Sequence, residues 1–146
     1  RPRILITGSP IGGVAEKLFL CIEEAGANVV AMECCSAAKS IDRLVDEEAG
    51  DIYEAIADRY LQTACSCMSP NPNRFELLNR IVDEYNIDGV IEVVLQACHT
   101  YNVEAYGVKR FVTAEKNIPY TYIETDYSTA DTEQLKTRIS AFIEML

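Results

Sequence analysis

What most constrains this sequence is its alternation of short apolar runs with longer segments of helical period. Ile4-Leu-Ile-Thr7, Asn28-Val-Val-Ala-Met32, Asp88-Gly-Val-Ile-Glu-Val-Val-Leu95 and Pro119-Tyr-Thr-Tyr-Ile-Glu124 are four strand-length runs. They are mostly continuous rather than alternating in polarity, the pattern of strands covered on both faces. Between them, Val14, Leu18, Cys21, Ile22 and Ala25 recur at helical spacing, and so do Phe75, Leu78, Ile81, Val82 and Tyr85. Gly26 is placed to end the first helix. A further helix is predicted from about Asn102 to Lys116, and a last one burying Leu135, Ile139, Phe142 and Ile143. Ser128-Thr-Ala-Asp131 fits a capping box at the start of that last helix. Residues 36–62 read as polar and helical, with Ile52, Ile56, Tyr60 and Leu61 facing inward. The stretch Cys65-Ser-Cys-Met-Ser-Pro-Asn-Pro-Asn73 is predicted as a loop, because its prolines and asparagines break any regular period.

Strands that alternate with helices predict an α/β fold: a four-stranded parallel sheet with right-handed crossovers and helices on both faces, flavodoxin-like in layout. A chain of 146 residues, 49% of them apolar, is enough for one such domain over residues 1–146 and not for two. In sheets of this kind ligands bind beyond the carboxyl ends of the strands, where the strand order reverses. That edge is predicted to carry Gly8-Ser-Pro-Ile-Gly-Gly13, Cys34 and Cys35, Cys98 and His99, and Glu124-Thr-Asp126.

The net charge of −10 opposes binding to phosphate backbones and to anionic lipid, which argues against nucleic-acid and membrane-surface roles. No apolar run reaches the roughly 18 residues of a membrane-spanning helix. Arg1-Pro-Arg3 leads straight into a strand with neither an initiator Met nor a secretory leader, so the sequence reads as a cytoplasmic domain of a longer subunit. Six cysteines without a secretory leader point to metal or redox chemistry rather than to bridges. Adjacent Cys34-Cys35 and the tight Cys65-Ser-Cys67 spacing also suit disulfide geometry poorly.

Thiolate sulfur is the soft anionic donor that iron–sulfur clusters need, and such clusters take their cysteines from separate loops. Cys98, at a strand end, meets that demand as well as it meets the alternative of a small buried side chain. Cys65 and Cys67 stand in a loop where nothing calls for burial, and spacing does not choose between them. Cys34 and Cys35 follow a strand and point to opposite faces, so at most one faces the site. Cys21, on the apolar stripe of the first helix, reads as core. A zinc site has weaker support: no C-x₂₋₄-C pair of the usual kind is present, and His99, next to Cys98, is the only histidine. Gly8–Gly13 is neither G-x-G-x-x-G nor a P-loop, so a tight strand-to-helix turn is favoured over a phosphate cradle. In so acidic a chain Glu33, Glu92, Glu124 and Asp126 are each expected to be solvated. The tyrosines around the last two strands, Tyr101, Tyr106, Tyr120, Tyr122 and Tyr127, are expected to be mostly wall and core aromatics.

Gly8-Ser-Pro after the first strand, Asp88-Gly-Val-Ile91 leading to Cys98, Tyr122-Ile-Glu-Thr-Asp-Tyr127 and the closing Leu135-Lys-Thr-Arg-Ile-Ser-Ala-Phe-Ile-Glu144 follow one another in a specific order. In that order they resemble the D-component of the 2-hydroxyacyl-CoA dehydratases, a family that includes benzoyl-CoA reductase subunits, over nearly the whole chain. Tyr60–Asn71 and Ala97–Glu104 look most like the branch of double-cubane cluster proteins. The resemblance implies a subunit of two α/β domains with an iron–sulfur cluster between them, [4Fe-4S] or double-cubane, held by cysteines of both. It also implies an ATP-hydrolysing activator that supplies a low-potential electron, with a homologous subunit as a possible further partner. Dehydratases of the family then remove water from a 2-hydroxyacyl-CoA through a ketyl radical, whereas the double-cubane branch reduces small substrates. On matching positions Cys98 is the implied ligand, with Cys65 or Cys67 from the other loop and Cys34 as a weaker transfer. The additional thiol of Cys65-Ser-Cys67 favours the enlarged cluster. A metal-free flavodoxin-like binding module, resting on Gly8–Gly13, and an interaction domain are the alternatives.

Overall fold

A computed structural model describes residues 1–146. Strands β1 (Arg3–Gly8), β2 (Asn28–Glu33), β3 (Gly89–Leu95) and β4 (Tyr120–Thr125) form one sheet in the order β2-β1-β3-β4, with every pairing parallel. Six helices accompany them: α1 (Ala15–Glu24), α2 (Ala38–Ile41), α3 (Ile52–Leu61), α4 (Pro72–Glu84), α5 (His99–Arg110) and α6 (Thr132–Ile143). The chain steps from β1 outward to β2, then returns across β1 to β3 and continues to β4. The order therefore reverses between β1 and β3, and their carboxyl ends, Gly8 and Leu95, flank the crevice where such folds bind ligands.

Side-chain alternation along each strand divides the core into two layers. Ile4, Ile6, Ile91, Val93 and Ile123 project to one face and pack with Leu18 and Ile22 of α1 and Leu135, Ile139 and Phe142 of α6. Leu5 and Val90 project to the other, against Leu77, Leu78 and Ile81 of α4 and Val108 of α5. At about 25 cal/mol per Å² of apolar surface, each fully buried Leu or Ile side chain contributes about 1.5–3 kcal/mol. No helix is long and apolar enough to cross a membrane.

Gly26, with φ +93°, ends α1 in the left-handed conformation that a residue with a Cβ adopts reluctantly. Gly8 is required for a different reason. A Cβ there would lie 2.2 Å from the Val93 carbonyl oxygen, and φ is +116°. The close approach lets Ser9 N–H donate to Val93 O (2.9 Å) while the Ser9 hydroxyl accepts from Leu95 N–H (3.2 Å). With Ile11 and Val14 buried as well, the glycine-rich segment seals the top of β1 onto β3.

Three local expectations are corrected. Residues 36–62 are helical only in α2 and α3, not over residues 42–51 between them, and Ile52, Tyr60 and Leu61 are more than half exposed, with Ala55 the buried residue of α3. Polar ties hold this segment in place, Arg59 Nε donating to Arg43 O (3.0 Å) and Asp51 capping α3 through Tyr53 N–H (2.8 Å), so its apolar stripe is left facing outward. Pro72 and Asn73 belong to α4, because proline suits the first helical turn, where its missing N–H has no partner to lose. At α6 no side chain caps the helix. Asp131 instead accepts from Lys17 Nζ (2.7 Å) and Thr125 Oγ1 (2.5 Å), which hold its carboxyl below the usual range against the opposing effect of burial.

Candidate functional site

Free thiols outside the core stand in three separate segments: Cys35 after β2, Cys65 and Cys67 before α4, and Cys98 after β3. Cys98 follows β3 after a short turn in which Ala97 adopts φ +66°, and its carbonyl accepts the first hydrogen bond of α5, from Asn102 N–H (3.1 Å). Partial burial opposes ionisation of this thiol. The Tyr101 backbone N–H and the Ser9 and Thr100 hydroxyls outweigh that opposition and lower its pKa below the ordinary thiol value. Cys65 and Cys67 sit side by side in the loop before α4, with Sγ atoms 3.3 Å apart and both free. The bond from Cys65 and its nearby charge raise the pKa of Cys67, and Cys35 adds a weaker electrostatic push in the same direction.

The pair at the end of β2 separates as alternation requires. Cys34 turns inward, 1% exposed, with its Sγ 3.4 Å from Ser36 Oγ. Cys35 turns outward, with its Sγ 3.6 Å from the Tyr101 hydroxyl. Tyr101 thus meets Cys35 through its side-chain hydroxyl. Cys21 lies in the core between α1 and α6, as its place on the helical stripe suggests, and burial raises its pKa. His99 is exposed at the start of α5, and the exposed Glu124 and Asp126 bond locally to Tyr122 and Ser128.

The expectation that Glu33 and Glu92 are solvated is overturned, for both are fully buried. They stand around Arg74, which is also completely buried and enters from the first turn of α4. Its guanidinium reaches Glu104 at 2.6 Å, Glu92 at 3.2 Å and Glu33 at 3.4 Å, and it also donates to Thr7 Oγ1 at 3.1 Å. The Thr7 hydroxyl bonds Glu33 as well. Lys39 of α2 adds a second buried cation, with its ammonium 2.9 Å from Glu33 and 2.8 Å from the Tyr101 hydroxyl. Tyr120 donates to Glu92 at 2.7 Å. Burial raises the Glu92 pKa although Arg74 and Tyr120 pull it down. Burial likewise lowers that of Arg74, but its three carboxylate partners more than reverse the effect and keep it charged. One signal for this cluster lay in the sequence: Glu92 interrupts Val90-Ile91 and Val93-Val94, and a carboxylate inside so apolar a strand needs a buried partner.

The candidate site is therefore a strand edge that carries free thiols, with a buried nest of ions beneath it in an α/β domain. The chain belongs to the 2-hydroxyglutaryl-CoA dehydratase D-component family, whose model matches residues 1–146. It is 58% identical over its whole length to a protein of Escherichia coli K12 named "Putative dehydratase subunit YjiM", and covers 38% of that protein. It is 26% identical, over 99% of its length, to the (R)-phenyllactyl-CoA dehydratase beta subunit of Clostridium sporogenes, covering 38% of it. With a benzoyl-CoA reductase subunit of Thauera aromatica the identity is 23%, again over 99% of this chain and covering 34% of the relative. The chain thus spans little more than a third of the length of these relatives.

Proposed function

We propose that this chain is one wall of an iron–sulfur cluster site in a dehydratase or reductase subunit. Cys98, Cys65 and Cys67 are its principal thiolates and Cys35 is an additional donor. The observation that carries this reading is that four free thiols outside the core, Cys35, Cys65, Cys67 and Cys98, stand in three loops, two of which follow the carboxyl ends of β2 and β3. The donor set fits the group: the sulfurs are unbridged, and Cys98 is held toward its thiolate form. No three donors converge around a single ion. A cluster held here would need further ligands from outside this chain. Buried and bonded to Ser36, Cys34 is the least suited of the named candidates.

A cluster held by Cys98, Cys65, Cys67 and Cys35 would supply low-potential electron transfer to the substrate of the subunit, with an ATP-hydrolysing activator as the electron source. This chain's residues bind and tune. The helix α5 N-terminus and the Ser9 and Thr100 hydroxyls favour negative charge on Cys98, and the apolar top of β1 and β3 excludes water from behind it. The extra thiol in the Cys65–Cys67 loop favours the enlarged cluster and hence reduction over dehydration. Anaerobic purification of the intact subunit should give brown protein with several irons per chain, and Cys98→Ala should lose most of that iron. Colourless protein after anaerobic reconstitution with iron and sulfide would end this reading.

A further inference from the structure

The bond between Tyr101 and Cys35 has a fixed direction. Lys39 is an ammonium with no lone pair, so at 2.8 Å it must donate to the Tyr101 oxygen. The tyrosine's own hydrogen then needs an acceptor, and the Cys35 sulfur, 3.6 Å away, is the other polar atom within reach of that oxygen. Tyr101 is itself only 4% exposed, and Lys39 2%. Lys39 stands 4.6 Å and Arg74 5.1 Å from the Tyr101 ring centroid, so the ring is held by cations as well as by packing. Lys39 is anchored in turn by Glu33 at 2.9 Å. The result is a buried chain of polar contacts, from Glu33 through Lys39 and Tyr101, that ends on one exposed sulfur.

We propose that Tyr101, oriented by Lys39, is a positioning residue that donates a hydrogen bond to the Cys35 sulfur and so tunes the group this sulfur helps to hold. The proposal rests on the iron–sulfur reading given above. A hydrogen bond to a ligand sulfur is stronger when the cluster carries one more negative charge, so it stabilises the reduced form over the oxidised one. Removing the hydroxyl should make reduction harder without removing the ligand. Lys39 serves by keeping the tyrosine oxygen occupied, so that its hydrogen is free for Cys35.

The test uses the intact subunit, purified without oxygen. Tyr101→Phe keeps the ring and its cation contacts and removes only the hydroxyl. Iron content should stay at the wild-type level, while the midpoint potential followed by electron paramagnetic resonance should move negative, changing the reduced-to-oxidised ratio at fixed potential by several-fold to about tenfold. Tenfold corresponds to about 59 mV for one electron. Tyr120→Phe, which loses a hydroxyl bonded to Glu92 rather than to a thiol, should leave the potential in place. A second measurement does not depend on the folding of Tyr101→Phe. In protein labelled with ¹³C-tyrosine and not yet loaded with iron, Cys35→Ala should shift the Tyr101 ring-carbon resonance beside the hydroxyl, and Cys67→Ala should not. An unmoved resonance, or an unchanged potential in folded, iron-loaded Tyr101→Phe, overturns the proposal while leaving the cluster reading intact. Wild-type subunit that takes up no iron overturns both.

Discussion

Beneath α1 and α6 the sheet is covered by a core with no fully buried charge, whereas beneath α4 and α5 the same sheet shares its cover with two buried cations and the carboxylates that pair with them. The first arrangement is the ordinary way to hold a parallel sheet. The second is costly, because each ion loses several kcal/mol of hydration that only good partner geometry restores. A fold needing only stability could replace Arg74, Glu33 and Glu92 with apolar side chains. The charged face also lies under the thiol-bearing loops, with Lys39 touching Tyr101 and Tyr101 touching Cys35. One face of the sheet therefore serves to hold the fold, and the other supports the site at the cost of some stability.

The sharpest way to break this comparison is to remove the central cation. Arg74→Met should destabilise the chain by about 3–5 kcal/mol in urea unfolding, because Glu33 and Glu92 are left buried without their partner. Adding Glu33→Gln and Glu92→Gln to it should restore part of that loss, and failure to recover any would show that packing rather than charge sets the cost. On the apolar face a methylene deletion should matter less. Ile139→Val, at a completely buried position, should cost about 0.5–1.5 kcal/mol in the same assay.

A smaller effect separates the faces by pH. The folded-state pKa of Glu92 lies above its unfolded value of about 4.3, so the native state binds the proton more tightly. This group's contribution is most favourable below the unfolded value and declines as pH rises through the interval up to the raised one. Glu92→Gln should flatten that part of the stability profile. A profile unchanged by the substitution would mean the carboxyl is not held above its ordinary range. Smallest in energy but easiest to read is thiol reactivity in metal-free protein near neutral pH. Iodoacetamide should modify Cys98 before Cys67 and well before Cys21, since the first pKa is lowered and the other two are raised. Mass spectrometry of the tryptic peptides gives the order, and Cys67 reacting first would contradict it.

The sheet was legible in the sequence because each strand is a short apolar run followed by a helical period, and both signals are local. The placing of Cys98 after a strand and of Cys65 and Cys67 in a loop was legible for the same reason, since they lie at the ends of recognisable elements. The ion cluster was not. Glu33, Arg74, Glu92 and Glu104 are far apart in sequence and meet only after α4 packs across β1 and β3, so in an acidic chain each glutamate taken singly reads as solvated. The outward stripe of α3 misled in the opposite sense. Helical periodicity shows that Ile52, Ile56 and Tyr60 share a face, but not whether this chain supplies the surface that covers it.

The separation of the thiols among loops bears on how such a protein can change over generations. Cys35 follows β2, Cys65 and Cys67 precede α4, and Cys98 precedes α5, so no two of these segments share a turn or a strand register. A cysteine can be gained, lost or moved in one of them without disturbing the ladder between β1 and β3. On the proposed iron–sulfur reading the scaffold is modular at the edge that would hold the cluster, and a lineage could change the thiol set there by single-loop substitutions while its sheet stayed as it is.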